Sequence, residues 1–165
     1  MMTDERQGSG VLGAVRKLPA GAGLVFRHYS LAVPERRALF EEVAGQARAR
    51  GITVLLAGPP DLARRWGADG WHGWEAGEGL RSASVHDLRE LRRAEAGGAA
   101  LVFVSPVFAT RSHPGATTLG PRRFAMLAAR ARRPVIALGG VTHANAARLM
   151  RLGAYGWAGI DAWAP

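Results

Sequence analysis

Pro-Val-Ile-Ala-Leu-Gly-Gly-Val-Thr, residues 134–142, holds in nine positions the pattern that decides the fold. The apolar run at 135–138 has no polar alternation, which marks a strand covered on both faces. Two glycines then allow a tight reversal, and Thr142 is a suitable N-cap for the apolar-periodic stretch that runs to Arg151. Strand, turn and helix form one unit, and the unit recurs outward in both directions. ITVLLA at 52–57 and LVFVS at 101–105 are apolar on both faces in the same way. Strands are expected at 24–29, 53–57, 70–72, 82–86, 101–105, 135–138 and 155–160. Helices are expected at 10–17, 34–50, 60–66, 87–95, 121–130 and 142–151, with Pro34 suited to a first helical turn. Gly-Ala-Asp-Gly-Trp at 67–71, Gly-Gly-Ala-Ala-Leu-Val at 97–102 and Gly-Ala-Tyr-Gly-Trp at 153–157 each set a helix-ending glycine just before a strand. Such repeated short turns fit an α/β fold of the TIM-type (β/α) barrel kind better than an open doubly wound sheet.

The chain has 165 residues, expected to form a single domain over 1–165. That is short of the ~200 residues a complete eightfold barrel needs, so the barrel should be incomplete. Cysteine is absent, which excludes disulfides, thiolate metal sites and a cysteine nucleophile. No apolar run is long enough to cross a membrane, and MMTDERQGSG at the N-terminus lacks a signal-peptide core, so no membrane partner and a cytoplasmic location are expected. The net charge of +9 invites a nucleic-acid reading, because basic side chains neutralise phosphates. Yet 21 of the 22 basic residues are arginines, strewn as pairs over helix-like segments, and no recognition motif accompanies them. They are read as solvated helix faces, and no nucleic-acid partner is expected.

In such barrels function gathers at the C-terminal ends of the strands. Gly139 and Gly140 sit between a strand and a helix start, where backbone N–H groups and the helix dipole can hold a phosphate; a plain tight turn is the alternative. Ile160 and Asp161, after the next strand, are the counterpart that commonly completes a phosphate site, although a carboxylate there would repel an anion unless it meets an arginine. The stretch 105–116 is polar and longer than a plain connection, so it reads as a lid, or else as a solvated surface loop. Its Thr110, Arg111, Ser112 and His113 offer hydroxyl, guanidinium and imidazole groups. Arg27 inside an apolar strand needs an anion, either a ligand or an internal partner such as Glu75 or Asp161. His86 ends a strand and is a site or capping candidate. His28 is read as a helix-packing residue, His72 and His143 as structural, and the five tryptophans as packing or interface aromatics.

Four segments in this order carry a family resemblance: Gly-Ala-Asp-Gly-Trp-His (67–72), Ser-Val-His-Asp-Leu-Arg-Glu-Leu (84–91), Val-Ser-Pro-Val-Phe-Ala-Thr-Arg-Ser-His-Pro-Gly (104–115) and Pro-Val-Ile-Ala-Leu-Gly-Gly-Val-Thr (134–142). Together they resemble thiamine phosphate synthase and its TenI-like relatives over essentially the whole chain. Thr3-Asp4 resembles the end of the family's first strand, so that strand should be largely missing, and the final helix absent. The resemblance implies joining of a thiazole phosphate to a pyrimidine pyrophosphate, with magnesium helping pyrophosphate to leave. It also implies catalytic roles for Arg27, His86 and His113, and phosphate or substrate contacts for Ser84, Thr110, Ser112, Gly139, Gly140, Ile160 and Asp161.

The departures from the family pattern remove the metal and most pyrophosphate ligands and spare part of the thiazole-phosphate end. The residues that flank the arginine and grip pyrophosphate are Val25 and Tyr29 here. The magnesium aspartate and its neighbour fall on Ala57-Gly58, and the second metal carboxylate near Gly77. His113 stands for a lysine, Asp161 for a serine, and Pro106 for the histidine of the tautomerase branch. The expectation is a divergent synthase-like protein with a small phosphorylated heterocycle as partner. No bound metal is expected, magnesium being needed only if the chain works as a synthase. The alternatives are a TenI-like thiazole-phosphate-binding or tautomerase-type protein, or a non-catalytic phosphate-binding scaffold. A homodimer is expected through the edge that an incomplete barrel leaves open.

Overall fold

The computed structural model describes residues 1–112 and 115–163. Seven strands, β1 (Gly23–Phe26), β2 (Thr53–Ala57), β3 (Gly70–His72), β4 (Leu80–Val85), β5 (Leu101–Val104), β6 (Val135–Ala137) and β7 (Gly156–Trp157), form one sheet in sequence order, every neighbouring pair parallel. Helices α1 (Val11–Lys17), α2 (Val33–Arg48), α3 (Pro60–Arg65), α4 (Leu88–Ala96), α5 (Gly120–Arg130) and α6 (His143–Arg151) alternate with the strands.

Alternation along each strand divides the core. Leu24, Phe26, Val54 and Leu56 pack outward with Phe40 and Val43 of α2, while Ala83, Val85, Val102 and Val104 pack outward with Leu91, Phe124 and Leu149. Val25, Leu55, Ala57, Phe103, Ala158 and Ile160 point the other way and meet Met2 inside the curled sheet. Strands apolar on both faces are what two such cores require.

The three glycine turns read from the sequence are present, and a fourth joins them. Gly51, Gly67, Gly98 and Gly153 all have positive φ, from 66° to 97°. In each case the next residue's N–H donates to a carbonyl five positions back: Ile52 to Ala47, Ala68 to Ala63, Ala99 to Ala94 and Ala154 to Leu149. This is the Schellman cap, and it turns each helix directly into the following strand.

Most element limits shift by one or two residues, but three differences have physical causes. β4 begins at Leu80, so it contains the buried Arg81 that the sequence reading left outside the strand. The Arg81 guanidinium donates to the carbonyls of Glu75 (3.1 Å) and of Ala94 in the last turn of α4 (2.9 Å), where a helix end carries partial negative charge. β7 is only two residues long, because the chain leaves the ladder after Ala158 donates to Ala137 and enters a 3-10 turn at Asp161–Trp163. A 3-10 segment at Glu5–Gly10, unforeseen in the sequence, precedes α1.

The largely missing first strand survives as a single bridge. Met2 pairs with Val25 in parallel, Val25 N–H donates to the Met1 carbonyl, Thr3 N–H donates to that of Val25, and Met2 N–H reaches Gly159. The barrel is incomplete, as expected, but these three residues pair with β1 and reach the β7 side through the single Met2–Gly159 bond, so the edge there is partly covered rather than open.

Candidate functional site

At the C-terminal ends of the strands lies a cavity of about 790 Å³. It is lined by nine of the ten expected site residues: Arg27, Ser84, His86, Thr110, Ser112, Gly139, Gly140, Ile160 and Asp161. The tenth, His113, lies outside the described residues.

The glycine turn forms one wall. Gly139 and Gly140 have φ of 91° and 61°, which L side chains adopt only under strain. A Cβ at Gly139 would come within 2.7 Å of Pro106, and one at Gly140 within 2.8 Å of Phe108 Cβ and closer still to the Ala109 carbonyl. The lid base is stitched to this turn, since Val107 N–H donates to the Leu138 carbonyl (2.9 Å) and Phe108 N–H to that of Gly139 (3.0 Å). α6 starts just beyond, with Thr142 N–H donating to Asn145 Oδ1 at 2.9 Å. Thr142, Val141 and both glycines line the cavity, so a helix N-terminus, with its partial positive charge, borders it. On the lid, the Thr110 and Ser112 hydroxyls lie 3.1 Å apart.

Arg27 stands on the opposite side, just past β1. Its partner is neither Glu75 nor Asp161, as the sequence suggested, but Asp4, at 3.9 Å. Asp4 also accepts from Arg6 Nε at 2.7 Å. Burial would raise the Asp4 carboxyl, but Arg6 and Arg27 outweigh it and hold it below the ordinary carboxylate value. Asp161 meets Arg111 of the lid at 3.2 Å and Arg6 at 3.5 Å, which is the arginine contact a carboxylate at an anion site requires.

His72 belongs to the cavity although the sequence marked it only as structural. One ring nitrogen lies 2.8 Å from Ser82 Oγ and the other 3.1 Å from Ser84 Oγ, and the ring meets Phe103 edge-on. Burial, assisted by the charge of Arg27, pushes its pKa down to about 4, so the ring is neutral and fixes the Ser84 hydroxyl. The missed signal was the inward register that His72 shares with Ser82 and Ser84, legible only once β3 is paired with β4. His86 is exposed and its Nδ1 lies 2.5 Å from the Ser105 carbonyl; Asp87, not His86, caps α4. His28 is buried against Phe26 with Nδ1 3.0 Å from Thr3 Oγ1, and His143 meets the stacked rings of Trp157 and Trp163 edge-on, both packing roles as expected.

The residues at the family's magnesium position do not suit that ion, which takes carboxylate and phosphate oxygens. Ala57 and Gly58 have no side-chain oxygen, and the Ala57 carbonyl already accepts from Arg36 at 2.7 Å. A side chain at Gly77 would meet Pro60 and Trp71 at 3.1–3.2 Å. Among the described residues no cluster of three or more His, Asp or Glu could hold a metal.

Comparison with known proteins agrees with the fold. The family model described as thiamine monophosphate synthase matches residues 78–163. A thiamine-phosphate synthase of Chlorobium luteolum is 31% identical over 161 residues, covering 89% of this chain and 76% of that protein. One of Chloroflexus aurantiacus is 31% identical over 133 residues, covering 73% of this chain and 62% of its own length. The chain thus spans less than two thirds of that relative. Among solved structures, a thiamine phosphate pyrophosphorylase from Pyrococcus furiosus shares the fold with a TM-score of 0.81 at 22% identity, over 97% of this chain and 83% of that one. The chain belongs to the thiamine monophosphate synthase family.

Proposed function

We propose that this protein binds a small phosphorylated heterocycle, a thiazole phosphate by family, with the phosphate against Gly139, Gly140, Thr110 and Ser112 and Arg27 across the cavity. The observation that carries this reading is the meeting of a helix N-terminus, two lid hydroxyls and a strand-end arginine on one cavity. The reading is synthase-like in binding and weak in turnover. The side that would hold pyrophosphate and magnesium carries Val25, Tyr29, Ala57 and Gly58 instead of charged ligands. On this reading no metal is bound, His86 and Ser84 orient the heterocycle rather than transfer a proton, and the location is cytoplasmic.

Titration calorimetry with thiazole phosphate is expected to give saturable binding. Incubation of thiazole phosphate, pyrimidine pyrophosphate and magnesium with the chain is expected to give little product. Rapid magnesium-dependent product formation would restore the full synthase reading, and absence of binding would leave the scaffold reading. Self-association, through exposed side chains such as Met126, Met150 and Tyr155, is part of the proposal. A monomer mass by light scattering at micromolar concentration would remove it.

A further inference from the structure

Arg36 is an unexpected charge for its place on α2. It stands in the first turn of α2, where the helix dipole disfavours a cation, and it is only 8% exposed. Among the described residues no carboxylate lies within ion-pair distance of it. Its partners are two strand ends: Nε donates to the Arg27 carbonyl at 2.8 Å and a terminal nitrogen to the Ala57 carbonyl at 2.7 Å. The rings of Tyr29, Trp66 and Phe26 surround it, their centroids 5.2, 5.5 and 6.0 Å from its central carbon, within cation–π range. The Tyr29 ring is shared, because the Arg27 guanidinium also lies over it at 5.6 Å.

The last carbonyls of parallel strands converge at the barrel mouth and need a donor or a cation. At β1 and β2 that need is met by a permanent, planar cation with two correctly spaced donors, which a lysine could not imitate. The same guanidinium fixes the backbone of Arg27 and, through Tyr29, one face of its side chain.

We propose that Arg36 is a built-in cation behind Ala57, the residue that stands where the family resemblance expects a magnesium ligand: it locks the ends of β1 and β2, aims Arg27 into the cavity, and makes phosphate-ester binding independent of divalent metal. Arg36 is a positioning residue, since it does not line the cavity. The inference rests on the ligand reading proposed above.

The test uses the full chain. Thiazole phosphate is titrated in EDTA and in magnesium, with the wild type, Arg36→Ala and Arg36→Lys. The wild-type affinity is expected to be the same in both buffers. Arg36→Ala should weaken it by about tenfold and Arg36→Lys by nearly as much, with methylguanidinium restoring the Arg36→Ala variant and its neutral isostere methylurea failing to do so. Magnesium tightening the wild type severalfold, Arg36→Ala binding like the wild type, or equal rescue by methylurea would each overturn the proposal. Magnesium is also titrated into the wild-type chain while the backbone amide signals of Arg27, Ala57 and Gly58 are followed, and none should shift. Shifts there would refute the proposal even if the variant fails to fold. If thiazole phosphate gives no heat with the wild type, the ligand reading fails, while the amide titration still decides the claim about Arg36.

Discussion

Replacing Gly140 by alanine tests whether the lid base is packed on the glycine turn. Two costs are separable. At φ of 61° an alanine carries about 1–2 kcal/mol of left-handed strain. Its Cβ would also overlap Phe108 Cβ and the Ala109 carbonyl, and overpacking of this kind costs about 1–3 kcal/mol. Gly51→Ala is the control, because Gly51 has φ of 66° but nothing within 4 Å of the added carbon. Urea unfolding should therefore place Gly140→Ala about 1–3 kcal/mol below Gly51→Ala, the difference being the overlap alone. The overlap is relieved if the lid lifts, so Gly140→Ala should also lose thiazole-phosphate affinity while Gly51→Ala keeps it. Equal stabilities within about 0.5 kcal/mol would show that the lid does not rest on the turn, and the wall described here would be wrong.

Other outcomes follow from the same geometry. Arg27→Ala should weaken thiazole-phosphate binding by about 1.5–3 kcal/mol, as expected when a charge-assisted hydrogen bond is lost; unchanged calorimetric affinity would move the ligand away from that side. Asp161→Ser should tighten phosphate binding. It should cost no more than about 1 kcal/mol in thermal unfolding, because its partners are 40% and 78% exposed, and weaker binding would assign Asp161 a supporting role instead. His72 has its folded pKa depressed to about 4 from 6.5, so between those values the unfolded chain binds the extra proton. Its contribution to stability is intact above pH 6.5 and is lost as pH falls toward 4; in denaturation at pH 7 and pH 5, a His72→Gln variant should lose less stability than the wild type.

The fold was legible because the signals that build it are local. β2, β5 and β6 are apolar on both faces, and four of the six helices run into a glycine that fixes the next turn, so neither signal depends on distant partners. The cavity was legible for a related reason, since a barrel sends every strand end to one mouth. What escaped the sequence was pairing across the sheet. Arg81 reads as a strand stop until the carbonyls of Glu75 and Ala94 are seen around it. Arg27 reads as needing Glu75 or Asp161 because Asp4 is remote in the chain until Met2 bridges Val25. His72 and Arg36 were passed over because their partners, two serine hydroxyls and two strand-end carbonyls, carry no charge that a spacing argument can detect.

The seam between β1 and β7 shows how stability and recognition are divided in this barrel. Three backbone hydrogen bonds around Met1–Thr3 bridge it, and Met2, Val25, Ala158 and Ile160 pack beneath. Above them runs a row of alternating charges, Arg27, Asp4, Arg6, Asp161 and Arg111, that reaches from the end of β1 to the lid. Asp4, 10% exposed, ties Arg27 and Arg6 to the seam, but the pairs of Asp161 are exposed and contribute only about 0–1 kcal/mol each, so that part of the row adds little to closure beside the buried apolar side chains. Its effect is on the field at the mouth: three guanidiniums against two carboxylates leave one positive charge beside the cavity. That charge lies near the surface, within reach of solvent screening. An anion entering past Arg111 should therefore bind more weakly as salt rises, whereas the backbone wall at Gly139 and Gly140, made of fixed dipoles away from bulk ions, should keep its contribution.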